Sequence, residues 1–221
     1  MAHVDFDKLI DQHLYREFRP KRQGVYYPSE IGSCLRKTWY SYKRPLKATP
    51  ELTKIFQLGN ILHDFIVQVL NSEKVKDVQL LSYEFPLKQQ IGDLTVSGRV
   101  DDLILVKASG KKVLVEVKST GGVDKIDGPK LPHVLQLQFY MHAAGVHDGI
   151  LLYVDKSTLK TRSFPVDYSE VQAEATSERF KKLHELLKKG ELPEPEAKQV
   201  SSMNWMCSFC EYKPHCDKDE K

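Results

Sequence analysis

Two sets of residues in this 221-residue chain have the types and spacing to do chemistry. The first is its only four cysteines: Cys34 near one end, and Cys207, Cys210 and Cys216 near the other, the last three spaced Cys-x2-Cys-x5-Cys. A loop with that spacing can wrap three sulfurs round one inorganic centre. If Cys34 supplies the fourth, the centre staples the two ends together and everything between becomes one closed loop. Four thiolates suit a tetrahedral zinc ion, and they equally suit an iron–sulfur cluster. Structural zinc sites usually draw on two short paired knuckles. Here there is one pair, one nearby single and one remote single, which puts iron–sulfur modestly ahead. Disulfides are the third reading. They need an oxidising compartment, and the polar opening residues show no secretory h-region.

The second set is Glu116-Val117-Lys118 together with Asp101. In a strand, residues two apart share a face, so Glu116 and Lys118 point one way while Val115 and Val117 point the other. Asp101 falls on the preceding strand, within reach. Two carboxylates and an ammonium on neighbouring strands suit a divalent cation with a reacting water, and carboxylate oxygens favour Mg²⁺ or Mn²⁺. The bland alternative is an exposed Glu/Lys ladder on an edge strand. Further polar residues accumulate round the set. His63 follows Gly59 by four on a helix before the sheet. Gln136 and Tyr140 share a face at i and i+4 on the helix after it, with His133 one turn earlier.

The elements that must position these residues are readable from periodicity. Residues 5–18 predict an amphipathic helix with Phe6, Leu9, Ile10, His13 and Leu14 on one face. Cys34 is expected on a short helix begun near Ser29. Residues 51–72 predict a second long helix with Ile55, Leu58, Leu62, Ile66 and Leu70 as its core stripe. Strands are expected at 78–87, 94–107 and 112–118, with a turn at Ala108-Ser109-Gly110-Lys111. A helix follows from about 132 to Gly145, then a strand pair at 149–154 and 161–166, then a helix from 169 to 189. Residues 190–201 read as extended. The result is an α/β or α+β arrangement of one domain, with residues 51–189 as core and residues 1–50 and 190–221 as an annex built from both ends.

Composition narrows the class. With 41% hydrophobic and 29% charged residues the chain is an ordinary globular protein. No run approaches the roughly 20 apolar residues of a membrane span, so no membrane partner and a cytoplasmic location are expected. Net charge is only +3, but residues 1–50 hold ten Lys/Arg against five Asp/Glu, and residues 191–221 hold four against seven. The basic end includes Arg19, Lys21, Arg22, Arg36, Lys37, Lys43, Arg44 and Lys47, interleaved with Phe18, Tyr26, Tyr27, Trp39, Tyr40 and Tyr42. Cations can neutralise phosphates and rings can stack on unpaired bases; a solvated basic face over core aromatics explains the same pattern.

Taken together, Gly59-x3-His63, Gly98-Arg99-Val100-Asp101, Glu116-Val117-Lys118 and Gln136-x3-Tyr140, in that order, resemble the RecB-type nuclease branch of the PD-(D/E)xK phosphodiesterase superfamily. The cysteine layout is similar to the iron–sulfur subset of that branch, which includes the AddB-type recombination nucleases and the CRISPR-associated exonuclease of the spacer-acquisition machinery. The small size, without a helicase part, is most similar to the CRISPR-associated RecB-like member. The resemblance spans residues 30 to 216. It implies a restriction-endonuclease-like core, a mixed central sheet flanked by helices, with an iron–sulfur annex. It implies Mg²⁺ or Mn²⁺ held by His63, Asp101, Glu116 and the Val117 carbonyl, with Lys118 as the catalytic lysine. Gln136 and Tyr140 would brace the site or contact the DNA strand. The Gly98-x2-Asp spacing favours Asp101 over its neighbour Asp102. Cys34, Cys207, Cys210 and Cys216 would hold a [4Fe–4S] cluster, or a [2Fe–2S] one. The implied activity is a metal-dependent DNA exonuclease, 5′→3′ on single strands or frayed ends, trimming prespacers in CRISPR adaptation. The alternatives are a DNA-end-binding adaptor of the CRISPR integrase and a stand-alone repair or phage nuclease. Implied partners are DNA, CRISPR integrase proteins and further copies of the chain.

Overall fold

A computed structural model of the protein describes residues 4–219. Its sheet grows from the β-rich middle of the chain. β1 (Val25–Tyr26), β2 (Val78–Ile91), β3 (Leu94–Val106), β4 (Lys111–Thr120), β5 (Asp148–Asp155) and β6 (Thr161–Asp167) form one mixed sheet. The order is β1-β3-β4-β5-β6, with β2 paired to β3. β2, β3 and β4 run as an antiparallel meander, β4 and β5 are parallel, and β5 and β6 close antiparallel. A parallel neighbour needs a crossover, and α4 (Leu131–Ala144) supplies it. Gly145 ends α4 with φ 63, a conformation that carries little cost only without a Cβ.

Helices cover both faces. On one side α4 and α5 (Glu170–Lys189) pack Leu137, Phe139, Phe180 and Leu183 onto Leu114, Leu151 and Val100 of the sheet. On the other, α3 (Pro50–Leu70) sets Leu62 and Ile66 against Val154. A fully buried side chain of this size contributes about 1.5–3 kcal/mol, so the two faces hold the sheet firmly. α3 begins at Thr49, whose hydroxyl accepts the Leu52 N–H at 3.3 Å, with Pro50 in the first turn.

The two chain ends meet against α5. α2 (Leu35–Lys43) packs there, and Tyr40 stacks on Tyr212 at 5.6 Å between ring centroids. Arg179 of α5 donates to the Ile31 and Ser33 carbonyls and pairs with Glu196. Arg36 is buried and donates to the Pro193 carbonyl at 2.6 Å.

Several local expectations change. α1 (Phe6–Leu14) is shorter than residues 5–18, and of its apolar face only Leu14 is buried; Phe6, Leu9 and Ile10 face solvent. The helix leans on α3 through Lys54, which pairs with Asp7 and Asp11, and so its apolar stripe is left free. Within the α3 stripe Leu62 and Ile66 are buried, but Ile55 is exposed because the helix end overhangs the sheet. The stretch 190–201 contains a short helix, α6 (Glu196–Gln199), rather than extended chain throughout. Among the N-terminal aromatics Tyr26, Trp39, Tyr40 and Tyr42 are core, and Lys21, Lys37 and Arg44 are paired with Glu30, Glu211 and Asp219. Much of the basic face is thus compensated internally. Among the described residues no helix is long and apolar enough to cross a membrane.

Candidate active site

One edge of β3 is shared between two strands. β1 pairs with Thr95 and Val96, and β4 pairs from Asp102 onward, opposite Val115. Residues 97–101 on that edge pair with neither strand. Buried backbone groups need partners, and side chains supply them in this gap. Asp101 accepts the Val117 N–H at 2.7 Å.

Strand alternation slips at the same level. Val100 belongs to the main core and Leu103 packs against that same core, although three residues apart should face oppositely. Asp101 and Asp102 occupy the slip. The facing strand is irregular too: Glu84, between Tyr83 and Phe85, has φ 45, and Arg99 ties its carboxylate at 2.9 Å. A non-glycine residue in that region is uncommon.

The gap holds a closed polar network. Lys118 donates to Glu116 Oε1 at 2.8 Å and to Gln136 Oε1 at 3.1 Å. Gln136 Nε2 donates to the same Glu116 oxygen at 2.7 Å and to the Tyr140 hydroxyl at 3.5 Å. Glu116 is only 2% exposed, on a strand with neighbours on both sides, so the exposed edge-ladder reading is excluded. Gly98 explains itself here: a Cβ would lie 2.7 Å from Pro28 and 2.9 Å from the Tyr140 hydroxyl. Gly59 does not, because a Cβ there meets only the Ser119 hydroxyl at 3.9 Å, an ordinary contact.

On the α3 side, His63 Nε2 stands 3.4 Å from Oδ1 of the fully buried Asp102. Its hydrogen bond to Asp102, with the charges of Asp101 and Asp64, raises His63 to about 9 against the opposing pull of burial. Burial, then repulsion from Asp101, pushes Glu116 up to about 7. Burial also raises Asp101. For Lys118 burial works against the charge, but Glu116 and Asp101 outweigh it and hold the ammonium above its ordinary value. The site therefore crowds acid groups round two cations and retains protons.

Two buried carboxylate oxygens, Glu116 Oε2 and Asp102 Oδ2, have no hydrogen-bond partner. An unsatisfied buried acceptor is costly; of the two, Glu116 Oε2 belongs to the ligand set expected from the sequence, and Asp102 Oδ2 does not. Among the described residues, no three His, Cys, Asp or Glu side chains as placed converge on one ion. The residues nevertheless have the oxygen and imidazole donors that a divalent ion uses.

Beside Lys118 lies a residue the sequence did not single out. Tyr153 is the register partner of Lys118 on β5. Its hydroxyl accepts the Lys130 N–H at 3.0 Å and meets His133 Nδ1 at 2.9 Å. Burial, then the nearby Lys118 charge, lowers His133 to about 3. Tyr153 carries no spacing signal; it became visible only through strand register.

The four cysteines also come together, lining one cavity with Arg36, Tyr40 and Tyr212. None is in a disulfide. Cys34 is buried just before the first residue of α2, where the helix end favours negative charge. Arg36 Nη1 lies 3.7 Å from Cys216 Sγ. Burial raises the Cys207 and Cys210 thiols. The donor set of four unpaired thiols fits a thiolate-ligated centre.

Comparison with known proteins agrees with this geometry. A family model described as the PD-(D/E)XK nuclease superfamily matches residues 65–217. Over 216 residues the chain is 22% identical to the CRISPR-associated exonuclease Cas4 of Saccharolobus solfataricus, covering 95% of this chain and 94% of that protein. Among solved structures, the protein SSO0001 superposes with a TM-score of 0.63 at 20% identity, over 93% of this chain and 90% of that one. The LHK-Exo exonuclease of Laribacter hongkongensis, solved with dAMP, gives 0.52 at 12% identity over 76% and 90% of the two chains. A phage-related exonuclease from Haemophilus somnus gives 0.53 at 9% over 84% and 97%. At these identities the structural likenesses speak for the fold, a mixed sheet flanked by helices as the sequence led us to expect.

Proposed function

The chain belongs to the PD-(D/E)XK nuclease superfamily, and from that premise we propose that it is a metal-dependent DNA exonuclease of the CRISPR-associated branch. It acts 5′→3′ on single strands or frayed ends and trims prespacers. The observation that carries this reading is the unpartnered, buried Glu116 Oε2 beside the Lys118–Gln136 network, in a gap of the sheet edge. Likeness to the Saccharolobus exonuclease along nearly the whole chain supports the CRISPR assignment.

His63, Asp101, Glu116 and the Val117 carbonyl would hold Mg²⁺ or Mn²⁺. When bound, the ion supplies charge neutralisation at the scissile phosphate and a water of lowered pKa. The chain's own groups do the rest. Lys118 is kept protonated by Glu116 and Asp101 and presents a donor where charge builds on the phosphate. Gln136 fixes both Lys118 and Glu116, and Tyr140 fixes Gln136 while its hydroxyl stands close to Gly98 on the open β3 edge. Asp102 positions His63. Cys34, Cys207, Cys210 and Cys216 would hold an iron–sulfur cluster, [4Fe–4S] before [2Fe–2S], as a clasp for the annex round residues 51–189. CRISPR integrase proteins and further copies of the chain are the partners this reading implies.

The test is digestion of single-stranded DNA labelled at either end, with Mn²⁺, with Mg²⁺ and with chelator. Nucleotides should be released from the 5′ end only when metal is present. Glu116→Gln should lower the rate by about 10²–10³-fold or more, the scale of weakening the stabilisation that the bound ion gives to developing charge. A wild-type protein that binds DNA yet cuts nothing with Mn²⁺ would instead be an end-binding adaptor.

A further inference from the structure

A groove of about 520 Å³ opens between the end of α1 and the start of α3, and Tyr15, Phe18, Phe56, Arg16, Arg19 and Lys47 line it. Its rings are exposed. Trp39, Tyr40 and Tyr42 close by in sequence are buried, whereas Tyr15 is 62% exposed, Phe18 41% and Phe56 58%. Three exposed rings in one groove lack the covering that apolar surface normally finds. The cations are interleaved with them. Lys47 Nζ sits 4.4 Å from the centre of the Tyr15 ring. Arg16 is fixed by the His13 and Tyr15 carbonyls, both at 3.0 Å, at the end of α1. The two acids of the lining are already paired: Glu17 with Arg19 at 3.3 Å, and Asp11 with Lys54 at 3.0 Å.

The groove also points at the gap in the sheet. Phe56 precedes His63 by seven residues on α3, so the two share a helix face about 10 Å apart. Between them Gly59 passes Ser119, the residue after Lys118. A strand leaving the phosphate site along α3 would therefore enter this groove.

We propose that the groove binds the single-stranded part of the nucleic-acid substrate. Bases stack on Tyr15, Phe18 and Phe56, and backbone phosphates meet Arg16, Arg19 and Lys47. The combination of π-faces for any base with cations along a groove is what sequence-independent single-strand binding needs. The proposal rests on the nuclease reading above and adds a strand-holding surface outside the chemistry.

The experiment measures fluorescence anisotropy of a labelled oligo-dT with the full chain in chelator, and hydrolysis of a small chromogenic phosphodiester with Mn²⁺. The double variant Tyr15→Ala/Phe56→Ala should bind oligo-dT about 30-fold or more weakly, since each stacked base is lost separately. Its turnover of the small diester, too short to reach the groove, should stay within twofold of wild type. Tyr15→Phe should bind like wild type. The triple variant Arg16→Gln/Arg19→Gln/Lys47→Gln should flatten the salt dependence of binding by about 0.7 per phosphate contact. Unchanged binding by the double variant, or equal losses on oligo-dT and on the small diester, would overturn the groove while leaving the nuclease intact. A wild-type protein that neither binds oligo-dT nor hydrolyses the diester would remove the nuclease reading and the groove with it.

Discussion

The carboxylate gap and the cysteine cavity both gather residues that are remote in sequence, yet they are held in different ways. Asp101, Glu116 and Lys118 stand on central strands with helices above and below, and their neighbours Gln136 and Tyr140 stand on a buried helix face. The chain completes this site itself, through Lys118, Gln136 and the Val117 N–H, and leaves two bare oxygens. Three cysteines stand on turns and short helices, around Ser201–Phe209 and α7 (Lys213–Lys218), and Cys34 stands at the start of α2, with a cavity between them and no bond from one to another. Rigid elements hold a site in working geometry before anything binds. Short turns do not, so under the iron–sulfur proposal the cavity end would depend on the cluster its thiols hold.

The largest break in this comparison comes from the cysteines. Cys216→Ser should remove the visible absorbance of a cluster and lower stability together, by about 3–5 kcal/mol, the scale of releasing a cross-link across a loop longer than a hundred residues. Chemical denaturation beside an absorbance spectrum checks it. Lost absorbance with unchanged melting would mean that the ends hold without the cluster, through Arg36, Arg179 and the Tyr40–Tyr212 stack.

Next is the seam between the two regions. A Cβ on Gly32 would stand 2.2 Å from the Pro132 Cα at the start of α4. No rotamer relieves a clash with backbone, so Gly32→Ala should cost about 3 kcal/mol, the upper part of the overpacking range. Thermal melting reads it. A small cost would show that the annex shifts freely on the core.

The core side answers to pH through His133, held down at about 3 by burial and by Lys118. The unfolded chain takes its proton near 6.5. Between pH 6.5 and 3 the unfolded state therefore binds more protons, so the stability from this residue is complete above 6.5 and lost as pH falls through that window. His133→Gln should recover on the order of 3 kcal/mol at pH 4 and nothing at pH 8. Denaturant titrations at the two pH values separate this from a plain packing effect. The smallest change is Gly59→Ala. The helix interior should gain about 0.5–1 kcal/mol there, because space is open and alanine is the better helix former. Destabilisation at this position would mean that His63 needs a closer approach of α3 to β4 than the fold shows.

Much of the site was legible because its residues obey local rules. Glu116 and Lys118 share a strand face by alternation, and Gln136 and Tyr140 share a helix face by i, i+4 spacing; the fold places the two pairs in one network. Gly98 fits the motif for a reason the sequence does not state, the packing of Pro28 and Tyr140. The apolar stripe of α1 was legible as a stripe but not as an exposed one, because amphipathicity says that a face is apolar and not that a partner is present. In the basic N-terminal part the plainer of its two readings prevails: most of its aromatics went to the core and several of its cations to ion pairs. The exposed rings of the groove, Tyr15, Phe18 and Phe56, came from two segments that only folding brings together.

By itself the sequence determined the alternation of strands and helices, the order of the motif residues and the pairing of chemistry with spacing. All of these follow from short-range geometry, the two-residue period of a strand and the 3.6-residue turn of a helix. Tertiary structure alone decided where β3 is left unpaired, how its alternation slips at Asp101 and Asp102, that His63 reaches Asp102 from one face while Gln136 reaches Glu116 from the other, and that four distant thiols line one cavity. Those outcomes depend on which strand edges and helix faces compete for the same partner. That competition is settled by burial summed over the whole chain and not by any one segment.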